Sequence, residues 1–278
     1  AGTAVSPLVR GLDAWFETMR APAGYAGPVM HWWRHTLQFA GAGLDWRYEG
    51  IVIGYLQLYA ATGDAAWLTK ARRAADDVVA GQDGNGNYRH SSFELNPRAG
   101  GTPHEAACDR LWRYGAFNDH LSSDTFVPNK AATLAEALAA WAEWSGDESI
   151  IARYLRPTLD RIIEHQLSRP GSRLDGGIYQ SSFDGRPTAR FFPYYVARCL
   201  PALLRGYELT NDARYLDAAC RSARFIVRWQ MADGAWPQVV YTDGGCATYP
   251  RWFAAAADII RTVGLLRPYG VNFDPAPA

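Results

Sequence analysis

One layout occurs three times along the chain, and it constrains the fold more than any other feature. In each copy an apolar helix leads into a Gly-Asp or Asn-Asp turn, and an amphipathic helix then runs to a Gln and a Gly-rich turn. The turns are Gly63-Asp64, Gly146-Asp147 and Asn211-Asp212, and the glutamines are Gln82, Gln166 and Gln230. The separation of Asp from Gln is nearly the same in all copies, which predicts a repeated helical hairpin.

The two helices of each hairpin differ in polarity. The first is apolar nearly all round in segments 51–60, 131–142 and 196–204, as in a helix that is buried on both sides. The second has one apolar stripe with arginines and acids opposite it, and it starts at an Asp that can cap its free N–H groups. Two concentric layers follow, so we predict an all-α fold, an (α/α) toroid of helical hairpins, as one domain over residues 1–278.

The repeat is interrupted over residues 83–128, where no clear outer helix is found. Either the ring is incomplete there or a loop replaces a hairpin. The chain ends are expected to pair, because residues 5–19 form an outer-type helix and residues 251–266 an inner-type helix without an outer partner. Short β segments are expected near 176–182 and 236–242.

Composition and motifs exclude several kinds of function. Twenty-eight basic and 28 acidic side chains cancel, which argues against nucleic acid or an anionic membrane as a partner. No apolar run is long enough for a transmembrane helix. The four cysteines contain no CxxC pair and are expected to be reduced thiols in a cytoplasmic protein. No metal-ligand, dinucleotide, Walker or GxSxG motif is present, so no metal and no cofactor is predicted.

Prolines mark the expected starts of four inner helices, at Pro103, Pro128, Pro193 and Pro250. Inner helices of a toroid run in the same direction, so their N-termini meet at one end, which we call the mouth. The residues that follow these prolines are His104, Glu105, Asn129, Lys130, Tyr194, Tyr195, Arg251 and Trp252. A fifth inner helix opens with Asp45, Trp46, Arg47 and Glu49. The positive helix ends predict a pocket at the mouth that receives an anionic group.

Neighbouring loops are expected to add further residues to this pocket. Trp32, Trp33 and Arg34 precede the first hairpin, and Glu94 lies in the interrupted region. Aromatic residues make up 13% of the chain, which is typical of a lined pocket. The residues predicted to bind substrate are therefore Trp32, Trp33, Arg34, Trp46, Arg47, Glu94, Asn129, Lys130, Arg251, Trp252 and Trp236.

Segment 210–219, followed by segment 230–237, resembles the repeat of six-hairpin enzymes that act on carbohydrates. These include unsaturated glucuronyl hydrolases, α/α-toroid polysaccharide lyases and the helical domain of glucuronyl C5-epimerases. Segment 192–207 is similar to the corresponding part of the epimerases. The resemblance covers roughly residues 45–90 and 130–240, and it implies an (α/α) toroid that acts on an acidic sugar or oligosaccharide.

The candidate catalytic residues depend on the reaction, which the sequence leaves open. A glycoside hydrolase needs two carboxyl groups beside the scissile bond, and Asp45, Glu49, Glu94 and Glu105 are the candidates. A polysaccharide lyase or an epimerase needs a base beside a cation that neutralises the sugar carboxylate. His104, Tyr194 and Tyr195 are the candidates for that base.

Two other functions are also considered. The phrase Gln230-x-x-Asp233-Gly234-x-Trp236 resembles the QW repeat of class II terpenoid cyclases, although the nearest acidic run, 74–77, lacks the first Asp of the DxDD motif. A cyclase would have an apolar cavity with one isolated acid at its deep end. A non-catalytic binding toroid is the third alternative, and its mouth residues would pair with one another.

Overall fold

The computed structural model describes residues 4–21, 24–25, 27–28, 39–40, 44, 46–82, 85–88, 126–183 and 186–272. This part of the chain is mainly helical, which confirms the all-α prediction. The helices are α1 (Pro7–Thr18), α2 (Arg47–Thr62), α3 (Ala65–Gly81), α4 (Pro128–Ser145), α5 (Glu148–Ile150), α6 (Arg156–Glu164), α7 (Pro193–Thr210), α8 (Ala213–Arg228) and α9 (Phe253–Gly264). A π-helical turn, Ile151–Leu155, joins α5 to α6, and a 3-10 turn, Arg267–Tyr269, follows α9.

The hairpin turns consist of the residues that the sequence pattern indicates. Gly63, Gly146 and Asn211 end the first helices with φ angles of 70°, 69° and 53°. Glycine adopts this left-handed conformation without a steric cost, and asparagine tolerates it better than most residues. The next residue caps the second helix by accepting a backbone hydrogen bond, as predicted for Asp64, Asp147 and Asp212. Each turn therefore reverses the chain within two residues.

The helices are arranged in two layers. In the inner layer α2 packs against α4, α4 against α7, and α7 against α9. Outside them α3 packs on α2, α6 on α4, and α8 on α7. Helices α4 and α7 are buried over most of their surface, whereas α3, α6 and α8 bury one face each. This is the predicted toroid architecture, with buried inner helices and one-sided outer helices.

Small side chains allow α4 to pack between two inner helices. Most of its buried residues are alanines, and they face α2 on one side and α7 on the other. Alanine also has the highest helix propensity, so this composition favours both the helix and its close packing. Helix α4 therefore forms the middle of the inner layer.

The glutamine of the repeat fastens each hairpin to the next. Nε2 of Gln82 donates to Thr158 Oγ1 at 2.9 Å, and Nε2 of Gln166 donates to Ser222 Oγ at 2.7 Å. Each amide also donates to the backbone carbonyl four residues before that hydroxyl, on the next outer helix. Nε2 of Gln230 instead donates within its own turn. The same repeat position thus connects neighbouring hairpins in the first two copies and acts locally in the third.

Short antiparallel strands connect the helices. They pair as β1 (Arg20–Ala21) with β2 (Gly24–Tyr25), β3 (Gly27–Pro28) with β4 (Phe39–Ala40), and β5 (Ser182–Phe183) with β6 (Arg186–Pro187). A three-stranded sheet has the order β7 (Arg190–Phe191), β8 (Val239–Tyr241) and β9 (Cys246–Ala247). Since β7 precedes α7 and β9 precedes α9, this sheet brings the starts of two inner helices together. Strand β8 lies within the predicted segment 236–242.

Helix α1 packs on the first hairpin rather than on the last helix. Asp13 accepts hydrogen bonds from Tyr55 on α2, at 2.9 Å, and from Lys70 on α3, at 2.5 Å. The predicted pairing of 5–19 with 251–266 is therefore wrong, because α1 and α9 do not pack as a hairpin and the acids of α1 bind side chains of α2 and α3. The interruption predicted over 83–128 falls largely outside the described residues.

The prolines open two of the inner helices as predicted. Pro128 and Pro193 occupy the first positions of α4 and α7. Helix α9, in contrast, begins at Phe253 with an extended Trp252 before it, so Pro250 does not open it. Pro103 lies outside the described residues. No helix of the described ranges is both long and apolar enough to cross a membrane.

Candidate functional site

Each inner helix contributes a charged side chain to one group of interacting residues. These side chains are Glu49 on α2, Glu136 on α4, Arg198 on α7 and Asp258 on α9. They interact with one another on the inner side of the layer. Together with Arg261 on α9 we call them the central charge cluster. The cluster lies in the first three turns of the helices, just below the mouth.

Arg198 is the centre of this cluster. Its Nη2 donates to Oε2 of Glu49 at 2.5 Å, and its Nη1 donates to Oδ2 of Asp258 at 3.0 Å. Arg261 donates to the other oxygen of Asp258, Oδ1, at 2.8 and 3.0 Å. The side chains of Glu49, Arg198 and Asp258 are only 16%, 18% and 14% exposed, so these ion pairs are weakly screened by water. One guanidinium group thus joins three helices of the inner layer.

Glu136 faces the same cluster without an ion pair or hydrogen bond to any described residue. Burial and, after it, the negative charge of Glu49 raise its pKa to about 7, while Arg261 and Arg198 oppose the shift. Burial also raises the pKa of Glu49, against the effect of Arg198. A carboxyl group that titrates near neutral pH can donate or accept a proton under ordinary conditions.

A row of aromatic rings lies at the mouth beside the cluster. The ring centroids of Phe192 and Tyr195 are 5.0 Å apart, those of Tyr195 and Tyr194 are 5.5 Å apart, and Trp252 meets Tyr194 edge-on at 6.2 Å. Tyr194 connects the row to the cluster, because Arg198, Asp258 and Glu49 all act on its pKa, which burial raises. Aromatic faces next to hydrogen-bonding groups suit a ligand that has both apolar and polar surfaces.

Several of the predicted site residues come together here. Glu49 belongs to the central charge cluster, and Tyr194, Tyr195 and Trp252 form the aromatic row with Phe192. Trp252 keeps 40% of its surface exposed, so its ring is accessible. Four of the predicted side chains therefore lie in this region, and their roles stay predictions.

Four more predicted residues lie at the starts of the inner helices. Trp46 caps α2 and is 63% exposed, and Arg47 is the first residue of that helix. Asn129 and Lys130 lie in the first turn of α4. Oδ1 of Asn129 is buried and has no hydrogen-bond partner in the described chain. All four lie at helix starts, and their contact with a substrate stays a prediction.

Two predicted binding residues are engaged within the chain instead. Arg251 forms an ion pair with Asp233, and its guanidinium lies 5.2 Å from the ring centroid of Tyr249. Trp236 is 8% exposed and donates its indole N–H to the carbonyl of Ile226 at 3.0 Å. Trp236 therefore packs in the hydrophobic core and does not present its ring to a ligand.

The remaining predicted residues lie outside the described part of the chain. They are Trp32, Trp33, Arg34, Asp45, Glu94, His104 and Glu105. Their roles stay predictions.

Sequence reasoning missed Glu136, Arg198, Asp258 and Arg261. A signal for them was present, because Glu136 is the only charged residue in segment 131–142 and Arg198 the only one in 196–204. A charged side chain in a helix that is buried all round must find a polar partner inside the protein.

No three His, Cys, Asp or Glu side chains of the described residues are arranged to hold a metal ion.

The chain matches no protein-family model and no curated protein. Its fold, however, is similar to that of solved structures. The GH76 alpha-mannanase of Bacteroides thetaiotaomicron has a TM-score of 0.55 at 16% identity, over 83% of this chain and 54% of the mannanase. Cellobiose 2-epimerase from Bacillus thermoamylovorans has a TM-score of 0.62 at 11% identity, over 92% and 64% of the two chains. A possible member of the GH105 family from Salmonella enterica has a TM-score of 0.53 at 10% identity, over 78% and 55%.

The chain spans about half to two thirds of the length of these structures. At such low identity the likeness concerns the fold and not the reaction. It confirms the resemblance that the repeat indicated, since hydrolases and an epimerase of carbohydrates share this arrangement of helical hairpins. The chain thus has the fold of the α/α-toroid enzymes that act on carbohydrates.

Proposed function

We propose that this chain is a carbohydrate-active enzyme of the glycoside hydrolase type, with the central charge cluster as its active site. One observation carries the proposal. The carboxyl groups of Glu49 and Glu136 face one interior, where Arg198 binds the first and no described residue binds the second. Glycoside hydrolysis requires two carboxyl groups in different protonation states.

The environments of the two carboxyl groups suggest their roles. Glu136 has a pKa near 7 and is protonated below neutral pH, so it is the candidate general acid that donates a proton to the glycosidic oxygen as the C–O bond breaks. Arg198 favours the ionised form of Glu49 and holds Oε2. Glu49 is then the candidate for the second carboxylate, which either accepts a proton from the attacking water or attacks the anomeric carbon itself. In the second case water, giving a proton to the now ionised Glu136, breaks the bond between Glu49 and the sugar. The reaction leaves the sugar with the hydroxyl of water.

The aromatic row would contribute to binding. Sugar rings have apolar C–H faces that pack on aromatic rings, and Trp252 and Tyr194 offer such rings beside the carboxyl groups. Asn129, Lys130, Trp46 and Arg47 at the mouth remain candidates for further substrate contacts, as the sequence predicted.

The alternatives are supported less well by this interior. A lyase or epimerase that uses Tyr194 as its base needs the phenolate, but burial raises the pKa of Tyr194 and keeps it protonated. A terpenoid cyclase needs an apolar cavity, whereas this interior holds three carboxyl groups and two guanidinium groups. A binding toroid without activity is an outcome of the experiment below.

A panel of oligosaccharides tests the proposal. It contains neutral glucans, mannans and xylans as well as the uronate oligomers that the sequence analysis predicted. New reducing ends report hydrolysis, absorbance of new double bonds reports elimination, and proton NMR of the sugar reports epimerisation. We expect new reducing ends with at least one member. New double bonds would indicate a lyase, and epimers would indicate an epimerase, instead of a hydrolase. If no sugar changed, the proposal that the chain is a carbohydrate-active enzyme would be contradicted.

Variants then connect the activity to the site. Glu136→Gln and Glu49→Gln are each expected to lower kcat by about 100-fold or more, the usual contribution of an acid or base group. Glu164→Gln is the matched control, because this exposed glutamate lies on the outer helix α6. Full activity in both site variants would place the active site elsewhere in the chain.

A further inference from the structure

We propose that the central charge cluster selects neutral saccharides over acidic ones, an inference that rests on the proposed function. The argument concerns charge. Three carboxyl groups, those of Glu49, Glu136 and Asp258, share this interior with the guanidinium groups of Arg198 and Arg261. The net charge of the cluster is therefore negative when Glu136 is ionised and zero when it is protonated.

Both guanidinium groups already bind carboxylates of the chain. Arg198 is shared between Glu49 and Asp258, and Arg261 binds Asp258 through both Nε and Nη2. A uronate that bound the two Nη atoms of Arg198 would have to replace Glu49 or Asp258. The displaced acid would then remain buried without its partner, which is among the costliest changes in a protein interior.

The cations at the mouth already interact within the chain. Arg251 already forms an ion pair with Asp233. Arg47 and Lys130, at the starts of α2 and α4, have interactions of their own. The positive charges that act on both Glu136 and Glu49 are those of Arg198 and Arg261, and each already binds a carboxylate of the chain.

A neutral sugar meets no such obstacle. Its hydroxyl groups both donate and accept hydrogen bonds, so they can bind carboxylate oxygens and guanidinium N–H groups without breaking the ion pairs. Its apolar face can pack on Trp252 and Tyr194 at the same time. This differs from the acidic substrate that the resemblance and the helix ends predicted.

Binding to matched pairs of ligands tests the inference without requiring turnover. The probes are neutral oligomers of glucose, mannose and galactose, each compared with the uronate oligomer of the same length. Affinities of the full chain are measured by isothermal titration calorimetry at pH 8 and low ionic strength. We expect the neutral partner of the best pair to bind roughly tenfold more tightly, as for one buried like charge nearby. We also expect the preference to shrink in 0.5 M salt, a concentration in the range where screening is strong.

Two variants locate the source of the preference. Glu136→Gln removes one negative charge from the cluster and is expected to reduce the discrimination against uronates several-fold. Glu164→Gln removes a negative charge from an outer helix and should leave the discrimination against uronates unchanged. Tighter binding of the uronate in every pair at low salt would overturn the inference while keeping a carbohydrate site. If no sugar of either series bound and none were converted, the proposed function itself would fail.

Discussion

The guanidinium of Arg198 on α7 lies 2.5 Å from the carboxylate of Glu49 on α2, although α4 separates these helices within the inner layer. The ion pair therefore lies on the inner face of the layer and not in the contact between two neighbouring helices. Asp258 on α9 binds the same guanidinium from the other side at 3.0 Å. A single side chain thus fixes the relative positions of three helices at the site.

Removing this guanidinium should destabilise the protein strongly. We expect Arg198→Met to lower the free energy of unfolding by about 3–5 kcal/mol, because two partly buried carboxylates lose a shared partner. Urea denaturation measures the change. Arg224→Met, at an exposed position of α8, is the control and should change stability by less than about 0.5 kcal/mol. Equal effects of the two substitutions would show that Arg198 contributes no more than a surface arginine.

Glu136 should make stability depend on pH near neutrality. Its pKa is raised to about 7 in the folded protein, so the native state holds a proton that the unfolded chain releases above its ordinary pKa of 4.5. The contribution of this carboxyl group to stability is complete below pH 4.5 and is lost as the pH rises through 7. The free energy of unfolding of Glu136→Gln is compared with that of the parent at each pH. We expect this difference to favour the variant by about 2 kcal/mol more at pH 8 than at pH 5. Urea denaturation of both proteins across this range provides the measurement, and parallel pH curves would contradict it.

Gly176 should be far less tolerant of a side chain than a glycine of the hairpin turns. It has a φ of +81°, and a Cβ atom there would lie 2.2 Å from the carbonyl oxygen of Arg221 on α8. Gly146 also has a positive φ, of +69°, but open space around it. We expect Gly146→Ala to cost about 1 kcal/mol and Gly176→Ala about 3 kcal/mol or more, because only the second forces the backbone apart. Thermal denaturation of both variants gives the comparison, and similar melting temperatures would argue against the close approach.

The repeat glutamines should differ in their contributions although they occupy the same position of the pattern. Gln166→Met removes two donated hydrogen bonds to α8, one of them to Ser222, and is expected to cost about 2 kcal/mol. Gln230→Met removes one bond within its own turn and should cost less than about 1 kcal/mol. Chemical denaturation measures both. A larger loss for Gln230→Met would show that its amide has a partner of greater importance.

The hairpins could be predicted from the sequence because their signals are local. A left-handed residue followed by an Asp cap, as in Gly63-Asp64, reports the end of one helix and the start of the next without reference to the rest of the fold. Contacts between segments that are distant in the sequence leave no such local signal. For this reason the partner of α1 was predicted wrongly, since its apolar stripe alone does not distinguish α3 from α9.

The candidate site was predicted in part for the same reason. First-turn residues such as Glu49 and Tyr194 stand out beside helix starts, and both lie at the cluster. Glu136 and Arg198 lie deeper, in segments that appear wholly apolar when only their average is considered. Their meeting depends on the order of α2, α4 and α7 in the inner layer, which no single helix encodes.

The two-residue turns after α2, α4 and α7 lie at the opposite ends of these helices from the central charge cluster. For α2 this corresponds to roughly 20 Å along the helix axis from Glu49 to Gly63, at about 1.5 Å of rise per residue. These turns are therefore natural places to insert a tag, a fluorophore or a second module. Such grafts would extend the molecule away from the central charge cluster and from the starts of the inner helices.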